Sequence, residues 1–305
     1  MDALLLHNPT AGREDHDRVG LIERFRNAGY RPDYCSTKSD RFPDVLKDPY
    51  GLIAVAGGDG TVRKVVTRIV DRETPLVVIP LGTANNIARS LRIPLDGYDL
   101  PAPDDIADCL VKLDLGMGRF GDSEEPLAEG IGMGALAATM DEKVGRGEIG
   151  LGKVVAARQV VSRVIEKAEP FKALLTIDGR EIQGEFLSVE ALLHAYCGPA
   201  LKLCPPADSG DGLIDVVLLE EDRRREMAAW VNSPENSEPP VRIERGKKVT
   251  FEWSRKPALR SDDGLLKLKS SVKQIEMRIQ GEPVKVVVPD HRVARLEPRR
   301  NKEVA

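Results

Sequence analysis

The sequence predicts an α/β chain in two parts, an N-terminal doubly wound α/β unit followed by a C-terminal β-sandwich. Three observations predict it. Short, wholly apolar runs alternate with helical patterns through the first third of the chain. Polar–apolar alternation takes over near Asp114. Two glycine-bearing loops follow successive apolar runs. Wholly apolar strands separated by helices suit a parallel sheet covered on both faces, whereas alternating strands with turn dipeptides suit antiparallel sheets.

The elements follow in order. Ala3–His7 reads as a first strand. Arg18–Asn27 places Val19, Leu21, Ile22 and Phe25 at helical spacing. Tyr30–Ser36, Leu52–Ala56 and Leu76–Pro80 read as further strands, with helices over Val62–Val70 and from Thr83 to Leu91. Beyond Asp114, alternating strands are expected at Lys172–Ile177, Glu185–Val189, Leu213–Leu219, Lys247–Trp253, Gln274–Ile279 and Val284–Val288, and Asp-Gly pairs at 178, 211 and 263 mark turns between them. A basic helix over Gly152–Ala168 interrupts this part, with its valines expected on the sheet and its charges in water. The division reads as residues 1–114, residues 115–290 and a charged tail over 291–305, which could pack back on the first unit.

The 305 residues suffice for one large domain or two ordinary ones. A net charge of −4 and an aromatic content of 4% argue against a nucleic-acid partner, because phosphate backbones need basic surfaces and unpaired bases need stacking platforms. Cys35, Cys109, Cys197 and Cys204 form no paired spacing, so free thiols in a cytoplasmic protein are expected. No run is long enough to span a bilayer, so a lipid substrate would be met by visiting the inner membrane surface.

The chemistry concentrates in Gly57-Gly58-Asp59-Gly60-Thr61, between an apolar strand and a helix. Glycine lets backbone N–H groups approach phosphate oxygens, and the following helix offers its N-terminus. An aspartate among them makes sense if Mg²⁺ accompanies the phosphates. Pro80–Asn86 repeats the arrangement, with Gly82 for close approach and Thr83, Asn85 and Asn86 as short polar side chains. Asn8–Gly12, followed by Arg13, is a third polar loop after a strand.

In series these motifs resemble the diacylglycerol kinase catalytic family, which includes bacterial lipid kinases and sphingosine and ceramide kinases. Asn8-Pro9-Thr10-Ala11-Gly12 is similar to its opening motif, Gly57–Thr61 to its G-G-D-G-T, and Pro80–Leu91 to its P-x-G-T-x-N-D-x-A-R-S-L. Leu113–Gly116 resembles the segment where its second domain begins, and Pro205–Ala207 with Asp211–Val216 resembles its P-x-A…D-G-x-L-D-V. The resemblance implies ATP and Mg²⁺ as cofactors and a lipid hydroxyl as acceptor, with another small-molecule alcohol or a silent binding protein as alternatives. It implies nucleotide contacts at Asn8, Thr37, Gly58, Asp59, Gly60, Thr61 and Thr83. The adjoining loop residues Arg13, Gly57, Gly82, Asn85 and Asn86 complete the expected nucleotide site. It further implies Asp263 as the base acting with Asp59, and a structural Mg²⁺ held by Asp211 and the carbonyl of Leu213. A homodimer is compatible with it.

The chain departs from the family pattern at three places. Asn85-Asn86 replaces N-D, Asp263-Gly264-Leu265 replaces D-G-E, and Arg63-Lys64 stands where a glutamate is usual. Each change removes negative charge near the expected phosphates. Gly132-Met133-Gly134-Ala135-Leu136-Ala137 fits a loose dinucleotide fingerprint, but no clear strand and no suitably placed acidic partner frame it. The family resemblance implies instead a small-residue strand–helix junction near the cleft over Glu129–Ala138.

Overall fold

A computed structural model describes residues 1–12, 16–142 and 151–289. The first unit runs β1 (Asp2–His7), α1 (Arg18–Asn27), β2 (Arg31–Ser36), β3 (Leu52–Gly57), α2 (Asp59–Val66), β4 (Leu76–Pro80), α3 (Asn86–Ser90) and β5 (Leu110–Leu113). The apolar runs explain the layering. Successive strand residues face opposite sides, and both sides here are buried. Leu4 and Leu6 enter one core cluster, while Ala3 and Leu5 enter another. Full burial of a leucine side chain contributes roughly 1.5–3 kcal/mol.

Helix α1 begins where the Asp17 carboxylate accepts the Gly20 N–H at 2.7 Å, and it buries Leu21 and Phe25. Val19, expected on the same face, is 64% exposed. Helix α2 starts at Asp59 and ends at Val66, earlier at both ends than the apolar spacing suggests. Its first turn is the glycine loop itself. At its end, the Thr67 hydroxyl donates to the Arg63 carbonyl at 2.7 Å, a bond that competes with further helix. Helix α3 starts at Asn86 rather than Thr83, because Asn85 adopts a left-handed conformation with φ 51° that no right-handed turn accommodates.

The second unit begins with β6 (Gly116–Phe120), β7 (Ser123–Leu127), β8 (Gly130–Gly134), α4 (Ala135–Ala138), α5 (Leu151–Lys167), β9 (Phe171–Ile177) and β10 (Arg180–Leu192). A small pair follows, β11 (Tyr196–Cys197) and β12 (Leu201–Lys202), and then β13 (Ile214–Glu220), α6 (Arg224–Trp230), β14 (Arg242–Gly246) and β15 (Lys248–Trp253). The last strands are β16 (Leu259–Ser261), β17 (Gly264–Leu265), β18 (Gln274–Ile279) and β19 (Val284–Val287). An eleven-stranded sheet contains β6–β10 and β13–β18, all paired antiparallel. Helix α5 lays Val161 and Ile165 against Leu187 and Leu219 of this sheet. Strand β8 opens directly into α4 within antiparallel pairing, so the glycine pattern at 132–137 has no dinucleotide setting.

Strand β19 departs from the sequence reading. Its alternating pattern suggested the β-rich part, yet it enters the first sheet, whose order is β2-β1-β3-β4-β19-β5. It runs parallel to β4 and antiparallel to β5. Val284, Val286 and Val287 are completely buried there. The chain thus leaves the first unit after β5 and returns to it before residue 290. The tail at 291–305 lies outside the described residues.

Candidate active site

Strands β2 and β3 pair with opposite sides of β1. The chain therefore reverses its direction of winding at β1, and a crevice opens beyond the carboxyl ends of β1 and β3. The loops at Asn8 and Gly57 flank it. The Asn8 side-chain amide donates to Thr61 Oγ1 at 3.1 Å, joining the two loops.

The Gly57 and Gly82 loops meet backbone to backbone. A Cβ on Gly58 would stand 2.9 Å from the Gly82 Cα, and one on Gly82 would stand 2.5 Å from the Gly58 Cα. Any larger residue at either position separates the loops. Asn85 closes the second loop on itself: its Oδ1 accepts the Gly82 N–H and its Nδ2 donates to the Gly82 carbonyl, each at 2.9 Å. The Asn85 side chain is therefore committed to loop shape. The Thr37 N–H donates to the His7 carbonyl at 2.9 Å, which sets Thr37 beside the start of the Asn8 loop.

A cavity of about 510 Å³ lies between the two units. Asp59, Gly60, Thr83 and Asn86 line it from the first unit, and Asp263 lines it from the second. Leu136, Val161, Leu201 and Leu203 give it an apolar wall. The Asp59 Oδ1 accepts the Ile87 N–H at 3.0 Å, which fixes the carboxylate between the two loops. Burial pushes its pKa up, and hydrogen bonds from neighbouring backbone N–H groups oppose the rise. The Asn86 Nδ2 donates across the cleft to the Gly198 carbonyl at 3.0 Å, while its Oδ1 is buried without a hydrogen-bond partner.

The two adjacent aspartates of the β16–β17 turn differ. Asp262 has φ 48° and is 2% exposed, and its carboxylate accepts the N–H groups of Ala128, Glu129 and Gly130 at 2.8–3.1 Å. Asp263 has a side chain 48% exposed, and its Oδ1 is 2.8 Å from Arg63 Nη2.

Glu129 also lines the cavity, and sequence reading did not single it out as a site residue. Burial raises its pKa well above the usual carboxylate range, with the nearby Asp59 and Asp262 acting in the same direction. Behind it, Arg260 makes a buried ion pair with Glu190 at 2.6 Å and donates to Cys197 Sγ at 3.0 Å. Burial pushes the Cys197 thiol up to about 12. The one sequence signal for Glu129 is a carboxylate set between the apolar Leu127-Ala128 and the glycines at 130, 132 and 134.

Asp211 and Leu213 lie away from this cavity. Asp211 Oδ1 accepts the Leu213 N–H at 3.0 Å, and its Oδ2 is 3.7 Å from Arg245. Asp114 closes the same turn by accepting the Gly212 N–H at 2.6 Å. No group of three or more His, Cys, Asp and Glu side chains converges as a metal cluster among the described residues. Arg13 lies outside the described residues.

Residues 2–116 match the diacylglycerol kinase catalytic domain, and residues 134–278 match the YegS C-terminal NAD kinase β-sandwich-like domain. Its first unit thus carries a diacylglycerol kinase catalytic domain, and its second a YegS-type sandwich domain. It is 28% identical over 229 residues to a diacylglycerol kinase of Bacillus subtilis, covering 72% of this chain and 74% of that one. It is 28% identical over 269 residues to a diacylglycerol kinase of Staphylococcus haemolyticus, covering 82% and 78%. Its fold is similar to that of a diacylglycerol kinase from Bacillus anthracis, with a TM-score of 0.70 at 18% identity over 95% of this chain and 97% of that one. The catalytic domain makes the chain a kinase, and its relatives are diacylglycerol kinases and a YegS-like lipid kinase.

Proposed function

We propose that this protein transfers the γ-phosphoryl group of ATP to the hydroxyl of a lipid, with Mg²⁺ as its metal. The observation that carries the reading is the mixed lining of the cavity between the two units. Its acidic, glycine-lined end holds Asp59, Gly60 and Asp263, and its other wall is formed by Leu136, Val161, Leu201 and Leu203. A phosphate donor and an apolar acceptor can thus meet in one cleft.

Nucleotide phosphates would sit on N–H groups of the Gly57–Thr61 and Gly82–Asn86 loops other than those of Thr61 and Gly82, which bond within their own loops. Asn8, Thr61 and Thr83 would hold the remainder of the nucleotide. The buried carboxylate of Asp59 has no ion-pair partner among the described residues, and that suits a divalent cation arriving with the phosphates. Bound there, Mg²⁺ would supply neutralisation of the charge on the transferring group. Asp263 would accept the proton of the acceptor hydroxyl as that oxygen bonds to the γ-phosphorus and the bond to the ADP oxygen breaks. Asp211 and the Leu213 carbonyl would offer a second, structural Mg²⁺ position remote from the reaction.

No helix of the described residues is long and apolar enough to cross a membrane. In this reading the cleft meets its acceptor by transient contact with the inner membrane surface, and a homodimer is compatible with it.

The test is incubation of the purified protein with γ-labelled ATP, Mg²⁺ and a mixed lipid extract, beside an Asp263→Asn control. A labelled lipid that is absent in the control is the expected result. Label on a water-soluble alcohol instead would change the acceptor class, and ATP binding without any product would leave a silent binder.

A further inference from the structure

Arg63 lies four residues beyond Asp59 on α2, and its guanidinium reaches out of the first unit to the turn at 261–264. Nη2 is 2.8 Å from Asp263 Oδ1, and Nε is 4.0 Å from Asp262 Oδ2. The Arg63 Nε is buried and has no hydrogen-bond partner, while the side chain as a whole is 33% exposed, so the inner edge of the guanidinium faces the two aspartates. The opposite side of the Asp263 carboxylate is closed by backbone: a Cβ on Gly60 would stand 2.8 Å from Asp263 Oδ2. Asp263 is thus held between a cation and a bare α-carbon, both supplied by the helix that follows the glycine loop.

The charges around it require such a restraint. Asp59 and Glu129 both lie within electrostatic reach of Asp263, and Asp262 is its chain neighbour. Of the cations that line the cavity, Arg260 is paired with Glu190, and Lys153 makes no ion pair with Asp263. A half-exposed carboxylate among other acids would rotate away from them unless a cation fixed it.

We propose that Arg63 is a positioning residue for phosphoryl transfer: it ties the Asp263 carboxylate to the glycine-loop helix, so that closing the two units also aims the base. The proposal rests on the kinase reading above and extends it to a residue where the family pattern has no arginine. Arg63 acts through Asp263 and not on the phosphates.

The experiment compares wild type, Arg63→Gln, Arg63→Lys, Asp263→Asn and the Arg63→Gln/Asp263→Asn double variant in the labelled ATP and lipid-extract assay, with KM for ATP and kcat determined separately. Arg63→Gln is expected to lower kcat about tenfold or more while changing KM for ATP by less than about twofold, since misdirecting a reacting group chiefly lowers the rate of the chemical step. Arg63→Lys restores most of the lost rate, and the double variant is no slower than Asp263→Asn, because residues acting as a unit are not additive.

A raised KM for ATP with kcat intact would make Arg63 a phosphate ligand and overturn the proposal. An unimpaired Arg63→Gln beside an inactive Asp263→Asn would overturn the Arg63 assignment alone. A wild type without turnover, or a fully active Asp263→Asn, would remove the kinase or base reading and the positioning role with it. If Arg63→Gln does not fold, Arg63→Leu keeps the buried stem and removes the charge: lowered kcat at unchanged KM for ATP is expected, and unchanged kcat overturns the proposal.

Discussion

The glycine loops of the first unit and the β16–β17 turn of the second approach one cleft from opposite sides by opposite means. The loops expose backbone. Gly58 and Gly82 touch along their main chains, Asn85 ties its loop shut, and few side chains remain in the way. The turn works with side chains. It sets two aspartates next to each other and gives them different tasks through one backbone angle. At φ 48°, Asp262 turns inward onto three N–H groups, and its neighbour is left facing the cleft. Identical residues one position apart therefore become an anchor and a candidate base. Residue type alone does not separate them.

The largest effect expected from this contrast is on Asp263. Asp263→Asn keeps the shape of the turn, and kcat should fall by roughly 10²–10⁴-fold while ATP binding, followed by calorimetry, persists. Retained turnover would break the division of labour. Gly58→Ala comes next. The added methyl would force the two loops apart, and kcat/KM for ATP should fall by about 10²-fold, as a misplacement near 1 Å typically costs.

Asp262→Ala leaves three buried N–H groups without their acceptor. It should cost on the order of 3 kcal/mol, read from the urea midpoint, with Tm falling by about 5 °C. The protein that remains folded should retain nucleotide binding. An Asp262→Ala protein of full stability but no activity would assign the chemistry to the wrong member of the pair.

The smallest effect lies inside the second unit. Burial lowers the pKa of His194 from 6.5 to about 4. The unfolded chain then binds the extra proton between those values, so stability is fully present above pH 6.5 and declines as pH falls toward 4. A series of melting curves should show this loss reduced in His194→Leu.

Much of this was readable in the residues. The strand Leu76–Pro80 and the loop Gly57–Thr61 announce themselves because local chemistry decides them: an apolar run buried on both faces, and glycines where backbone must approach backbone. Asp59, Gly60, Thr83, Asn86 and Asp263 do share one cavity. Other features depend on distant chain. Asn85 looked like a ligand, and only the folded loop reveals that its amide is used by Gly82. Glu129 carries little local signal, since its environment comes from Asp59 and the 260–263 segment, far away in sequence. Strand β19 has the alternating pattern of the second unit, and nothing in Val284–Val287 states that its partners are Leu76–Val77 and Leu110–Leu113.

That strand has a consequence for how the protein is made. On a ribosome, residues 1–113 emerge first, but the place between β4 and β5 is filled only when residue 284 has appeared. At about 5–20 residues per second, those two strands wait roughly ten to thirty seconds with their inner edges unpaired. The intervening chain must fold during that interval as an insertion into an unfinished sheet. Such open edges are where nascent chains pair with the wrong neighbour. The yield of correctly assembled protein in a cell should therefore depend on translation speed and chaperone supply between residues 113 and 284, even though the finished molecule carries no mark of that interval.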